Sequence, residues 1–370
     1  MFKKLHILLS FITISVLITV LIFPQNIITA SLKGLLIWYK NVIPSLFIFM
    51  IGTTILSLTG FSYYLGKLFK NIMKPIFSVS PECAFPWITG LIAGCPFGAK
   101  VVSDLYKNGE ISKRDAQLTL SFINTNGPIF IIGTIASSML NYTQAGYFLI
   151  FILFISSIST SFIFRFIYNT KDNYYCLNKT FKTKNTSIGV IIKTAICSSS
   201  ETIIMIGGFI VLFSVLTEAF EIWNIIYFIY KPLNYFFNIS YEYIYSIFSG
   251  ILEVTYGCEK ISLWDCDLFI KMIFIGLIIG FGGISINIQT ISVFSDTDLS
   301  PLLYIISRLI NSLFTVLYII LFYGIFEKTI QKAVPTVLIL QGTANFSDLY
   351  IIPSFFIIIL SFIFCIKNTM

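Results

Sequence analysis

The chain has 370 residues, 56% of them hydrophobic and 11% charged, with a formal net charge of +7 at pH 7. A soluble domain carries about 25% charged residues, so the composition excludes an ordinary soluble fold and points to a polytopic α-helical membrane protein. The apolar runs are continuous and close to the ~20 residues that cross a bilayer, which excludes a β-barrel with its alternating polarity.

In chain order, Met1-Phe2-Lys3-Lys4 precedes an apolar run from Leu5 to Phe23. That run is longer than a signal-peptide core, and Ile28-Thr29-Ala30 is a poor cleavage site, so a retained first helix is predicted. About eight spanning helices are expected, over 5–23, 42–59, 118–140, 145–167, 202–219, 268–294, 302–326 and 349–366. Two shorter segments, 85–101 and 241–258, are predicted as re-entrant hairpins. Segments 27–40 and 188–201 read as amphipathic or interfacial helices, and 223–237, aromatic and interrupted by Lys231-Pro232, also reads as interfacial. The polar stretch 169–187 is the predicted cytoplasmic linker. It divides a single membrane domain into a first half, 1–168, and a second half, 188–370.

Basic residues orient the spans. With the N-terminus inside, only Lys33, Lys40, Lys231, Lys260, Lys271, Lys328 and Lys332 fall outside, and the remaining Lys and Arg fall inside. Both termini are therefore expected in the cytoplasm. The positive charge follows from these loops and gives no reason to invoke nucleic acid. The same topology brings the two short segments in from opposite sides, which makes an inverted-repeat, transporter-like fold.

Glycine and polar residues mark the breaks. The first short segment holds Gly90, Gly94, Pro96, Gly98 and Lys100; the second holds Gly250, Glu253 and Gly257. Each is followed by a longer segment with its own break, Asn124-Thr125-Asn126-Gly127-Pro128 in one half and Gly282 to Gln289 in the other. Non-helical backbone at membrane depth persists only inside protein or beside a water-filled cavity. Amides at half-helix N-termini attract anions. Gly94, Gly98 and Gly257, with Lys100, therefore form a candidate site for a small anionic substrate, although Lys100 also fits a snorkelling residue. Glu253 is an ionisable group inside an apolar segment, a candidate for a coupling proton or cation or a structural partner. Asn124, Asn126, Ser285, Asn287 and Gln289 can line a polar ligand or join helices. Glu201 and Arg308 lie near predicted helix ends and read as interfacial.

His6 is the only histidine, and the seven cysteines form no CxxC pair. No metal or cofactor site is expected, and Cys258 and Cys266 are the one pair considered for a disulfide. No Walker A, GxSxG or HExxH pattern occurs, so neither ATP-driven transport nor enzymatic activity is expected. Lipid is the expected environment, and a homo-oligomer stays open.

Several segments together resemble the sporulation integral membrane proteins of the YlbJ type. They are Trp38 through Pro44-Ser45-Leu46-Phe47, Gly90 through Lys100, Leu105-Tyr106 through Gly109-Glu110-Ile111-Ser112, Phe122 through Thr134, and Gly282 through Gln289. Cys95-Pro96-Phe97 departs mildly from related hairpin tips. This family carries the Gate, or nucleoside-recognition, domain, also seen in concentrative nucleoside transporters and the ferrous iron transporter FeoB. The resemblance implies a protein of the cell membrane or outer forespore membrane that moves dipicolinic acid from the mother cell toward the spore. A non-transporting scaffold or sensor in spore formation and a nucleoside transporter are the alternatives.

Overall fold

The computed structural model describes residues 2–123, 126–168 and 187–337, and among these every regular element is helical. The chain through Tyr323 forms one compact unit; the described part of a second unit, Gly324 to Val337, is helical throughout. The predicted span 349–366, most of the linker 169–187 and Asn124 lie outside the described residues.

The first helices are α1 (Phe2–Ile22), α2 (Pro24–Ile37), α3 (Ile43–Leu58) and α4 (Phe61–Ile72). Pro24 opens α2, and the axis bends by 110° there. Gly60, at φ +78°, takes the left-handed conformation that ends α3, and the axis turns by 87° into α4. Next come α5 (Ala84–Ala93), α6 (Phe97–Lys107), α7 (Lys113–Phe122), a π-helical segment Phe130–Met139, and α8 (Thr143–Ile167). The second half has α9 (Ile188–Ile222), α10 (Ile225–Phe237), α11 (Tyr241–Leu252), α12 (Val254–Ser262), α13 (Leu268–Phe281), α14 (Gly283–Phe294) and α15 (Pro301–Val337).

Among the described residues, four helices are long and apolar enough to cross a membrane, or six if each bent pair counts as one span. These cover six of the eight predicted spans. The predicted span 118–140 is not one continuous helix: α7 and Phe130–Met139 flank the break expected at the Asn- and Gly-rich sequence that ends in Pro128. Segment 188–201 is not a separate interfacial helix either. It continues without a break into the 35-residue α9, and Glu201 sits exposed in mid-helix.

Helix α15 carries the clearest lipid signature. Leu309, Leu313, Leu317 and Leu321, spaced at helical repeats, are 46–69% exposed, whereas Arg308, Asn311 and Thr315 on the other face are at most 1% exposed. A soluble amphipathic helix turns its apolar stripe inward. Here the polar stripe is inside and the apolar one outside, the arrangement an apolar solvent imposes.

The two halves repeat one order of parts: a short helix pair, a helix, a break and two further segments. Each short pair folds back on itself at paired glycines. A Cβ on Gly98 would lie 2.9 Å from the Gly90 Cα, and one on Gly257 would lie 2.0 Å from the Gly250 Cα. In a continuous helix, residues seven or eight apart are separated by more than about 10 Å along the axis. Both predicted hairpin segments are therefore helix–break–helix hairpins, α5–α6 and α11–α12. Each hairpin packs on the segment after the other half's break: α6 on α14, and α12 on Phe130–Met139.

Polar contacts stitch the halves together at one end. Ser300 donates its N–H to Gln117 Oε1 (2.6 Å), and Gln117 Nε2 donates back to the Ser300 carbonyl (3.1 Å). Nearby, Lys113 and Tyr106 donate to Asp298 (2.7 Å each), and Lys107 pairs with Asp296 (3.4 Å). The hydrogen bond from Lys113 is the main cause holding the Asp298 carboxyl below the usual carboxylate range, followed by that from Tyr106. A carboxylate with a lowered folded-state pKa stabilises the fold above its ordinary range and loses that contribution as pH falls through the lowered value. Because Asp298 is exposed, Asp298→Asn should leave the unfolding midpoint at neutral pH almost unchanged. Below about pH 4 it should make that midpoint less pH-dependent than in the parent. A thermal-melt series against pH checks this; equal slopes would show that the contact does not form.

Candidate functional site

The site is built around the carbonyls that the α13–α14 break sets loose. A helix end leaves its last four carbonyls without intrahelical partners. Gly282, at φ +87°, stops α13, and its N–H donates to Ile278 O (2.8 Å). Asn126 Nδ2 donates to Ile279 O (3.1 Å) from the break in the first half. Arg308 Nη2 (2.7 Å) and Asn311 Nδ2 (2.9 Å) both donate to Gly280 O. Asn287 Nδ2 donates to Phe281 O (3.1 Å), and its Oδ1 accepts from Tyr304 O–H (2.9 Å). Thus every orphan of the last turn is met, three of the four by side chains, and one of these links the two breaks directly.

The hairpins sit against the breaks. A Cβ on Gly127 would meet Ala93 O at 3.1 Å, so the first break lies on the tip of the first hairpin. A Cβ on Gly283 would meet Val254 Cγ2 at 3.0 Å and Gly250 O at 3.4 Å, so the second break lies on the second hairpin.

The expected site residues divide into two kinds. Asn126, Ser285, Asn287 and Gln289 are all buried, and Asn126 and Asn287 converge on the end of α13. Ser285 and Gln289 lie one turn apart and bond each other (3.1 Å). At about 100° per residue, Asn287 faces nearly opposite to them, so the three are not one cluster. The amides of Gly94, Gly98 and Gly257 already have partners within their hairpins: Gly90 O (2.9 Å), Gly94 O (3.4 Å) and Glu253 O (3.2 Å). The close approach of Gly98 and Gly257 to their partner helices is what requires glycine at those two positions. Lys100 is mostly buried on α6 and pairs with Asp104 one turn on (3.4 Å).

Glu253 occupies the tip of the second hairpin with extended backbone, and its carboxylate caps α12. It accepts from Thr255 N (3.0 Å) and Tyr256 N (2.7 Å). The negative charge also complements the helix dipole. Glu253 further lines a cavity of about 100 Å³ with Lys33, Glu218, Glu221, Tyr256 and Glu259, between α2, α9 and the second hairpin. Glu221 there accepts from Tyr245 O–H (2.6 Å), and Lys33 sits 4.8 Å above the Tyr256 ring. Cys258 is buried, Cys266 is partly exposed, and the two form no disulfide.

Arg308 corrects the sequence reading most. It is not an interfacial side chain: it is 1% exposed and the largest fully buried side chain described. The error came from counting distance to the end of an apolar run, because α15 begins at Pro301 and its first turns are already covered by neighbours. A usable signal existed. Tyr304, Arg308, Asn311 and Thr315 recur at helical spacing, one polar stripe on an otherwise apolar helix.

Fold and site together define an integral membrane protein built on two helix–break–helix hairpins around paired helix breaks. Residues 39–171, which hold the first of these hairpins and its break, match the model of the Gate family, described as nucleoside recognition. The chain is also 28% identical over 324 residues to the sporulation integral membrane protein YlbJ of Bacillus subtilis (strain 168), covering 82% of this chain and 79% of that one. No solved structure matches. The Gate match ends before the second hairpin, α14 and α15, so Glu253 and Arg308 lie outside it.

Proposed function

We propose that this chain is a membrane transporter, active in sporulation, for a small organic anion, with dipicolinic acid its most suitable substrate. The observation that carries the reading is the bond from Asn126 to Ile279 O, which joins the broken helices of the two halves deep inside the domain. Paired breaks at matching places in two halves are the architecture in which secondary transporters hold substrate. In that architecture the hairpins are re-entrant from opposite faces and both termini are cytoplasmic. The contact of Lys113 and Gln117, in the first turns of α7, with Asp298 and Ser300 supports this, since the basic-residue rule puts both on the cytoplasmic side. The similarity to YlbJ supports a role in spore formation and a place in the cell membrane or outer forespore membrane. Gly94, Gly98, Lys100 and Gly257 shape the hairpin tips, and Asn126, Ser285, Asn287 and Gln289 supply neutral polar groups beside them.

Glu253 and its cavity are the proposed place of the coupling proton or cation. Glu218, Glu221, Glu253 and Glu259 line it beside the single cation Lys33, an excess of negative charge that attracts a positive ion. Glu253→Gln should keep one capping oxygen and most of the stability, whereas Glu253→Ala should cost about 1–2 kcal/mol through the lost cap. Uptake of labelled dipicolinate into proteoliposomes should then show an altered pH dependence in the Gln variant. An unchanged profile in a stable variant leaves Glu253 as a helix cap only.

A second reading has one observation in its favour: the carbonyls freed at the end of α13 are all satisfied by protein groups, as a rigid scaffold or sensor would require. Absence of uptake by vesicles in either orientation would decide for the scaffold. Competition by nucleosides, but not by dicarboxylates, would decide for nucleoside transport.

A further inference from the structure

Arg308 is a full positive charge buried in a membrane domain, and its bonding is incomplete. Nη2 donates to Gly280 O, but Nη1 is buried without a hydrogen-bond partner. Among the described residues Arg308 forms no ion pair. An unpaired buried charge and an unsatisfied buried N–H are both costly. As a structural pin for Gly280 O the arginine is redundant, because Asn311 Nδ2 already holds that carbonyl. A neutral donor would serve there without carrying a charge inside.

Its position gives the spare donor a use. Tyr304, one turn earlier on α15, reaches Asn287 of α14. Gly280, which Arg308 holds, adjoins Ile279, held by Asn126. Across from it, Cys95 at the tip of the first hairpin lies within electrostatic reach of the guanidinium and is partly exposed. The spare N–H therefore sits where both breaks and the first hairpin tip meet.

We propose that Arg308 is the anion-binding residue of this protein, its free guanidinium edge taking a carboxylate oxygen of a substrate that enters past Cys95. The inference rests on the transporter reading above and replaces Lys100, already paired with Asp104, as the principal positive charge of the site. The ligand class is an oxyanion small enough to pass the hairpin tip, with a carboxylate as the group recognised; charge-assisted bonds of guanidinium to carboxylate are the strong ones. Tethering of Nη2 orients the plane of the guanidinium before the ligand arrives.

The test uses purified full-length protein in lipid, with dipicolinate as the probe and its neutral diamide as control. Alkylation at Cys95 is followed by peptide mass spectrometry, together with probe uptake. Dipicolinate, and not the diamide, should slow Cys95 alkylation in the parent. Arg308→Gln, which keeps a donor for Gly280 O, should weaken that protection about tenfold or more, and Arg308→Lys should recover part of it. Should the Gln variant fold poorly, the contrast between dianion and diamide in the parent still decides: equal protection by both, or none from dipicolinate while it is transported, overturns the assignment. Protection and uptake unchanged in a folded Gln variant overturn it as well, and leave the transporter reading standing. If the parent neither transports nor is protected by any organic anion, the transporter reading itself falls and takes this assignment with it.

Discussion

Gly257→Val should abolish the folded protein. A Cβ at Gly257 would lie 2.0 Å from the Gly250 Cα and 2.4 Å from the Gly250 N, backbone atoms that cannot rotate away. The hairpin would have to open, and α12 would pull away from Phe130–Met139, on which it packs. A loss of more than about 4 kcal/mol is expected, in the range reserved for severe overpacking. Gly98→Val should be damaging but less so, since its Cβ would meet the Gly90 Cα at 2.9 Å. Gly52→Ala and Gly208→Ala are the controls. Each is helical with nothing within 4 Å of the added carbon, so each should be neutral or stabilising by up to about 1 kcal/mol. Expression level and detergent melting of the four variants check the order, and a well-folded Gly257→Val would mean that the hairpin does not close at this crossing.

Asn126→Leu should give the second large effect, on stability and on transport together. Asn126 Nδ2 supplies the side-chain donor to Ile279 O, so the leucine leaves that buried carbonyl unmet at a cost of about 1–3 kcal/mol. The same change uncouples the broken helices of the two halves, so uptake should fall further than the loss of folded protein explains. Asn311→Leu provides the comparison. Gly280 O would still accept from Arg308 at 2.7 Å, so its stability cost should be nearer the ~0.6 kcal/mol average for polar bonds between membrane helices. Unfolding midpoints and uptake normalised to folded protein measure both; equal costs for the two variants would show that the Ile279 bond carries no special weight.

The predicted elements were legible where the signal is local. Apolar runs of near-spanning length located α8, α9, α13–α14 and α15, and the glycine clusters located both hairpins, because a Gly crossing or a Gly stop leaves its residue in the sequence. The break inside 118–140 was legible as well, because Pro128 and its polar neighbours interrupt the apolar residues on either side. The interfacial helix over 188–201 was not, because moderate polarity at Ser198 to Glu201 did not interrupt a 35-residue helix.

The candidate site divides along the same line. The amino-acid pattern by itself determined that this is a helical membrane protein with paired breaks, and that Asn126, Asn287 and Glu253 sit at them, since lipid as solvent permits polar groups and irregular backbone only where protein encloses them. Only the tertiary structure decided who satisfies whom. It turned Glu253 back onto the amides of α12, paired Lys100 with Asp104, and set Asn126 on a carbonyl 153 residues away. It also carried Arg308 from an apparent helix end to the junction of both halves with one N–H unspent. Burial depends on what neighbouring helices cover, and a position along one helix carries no record of that.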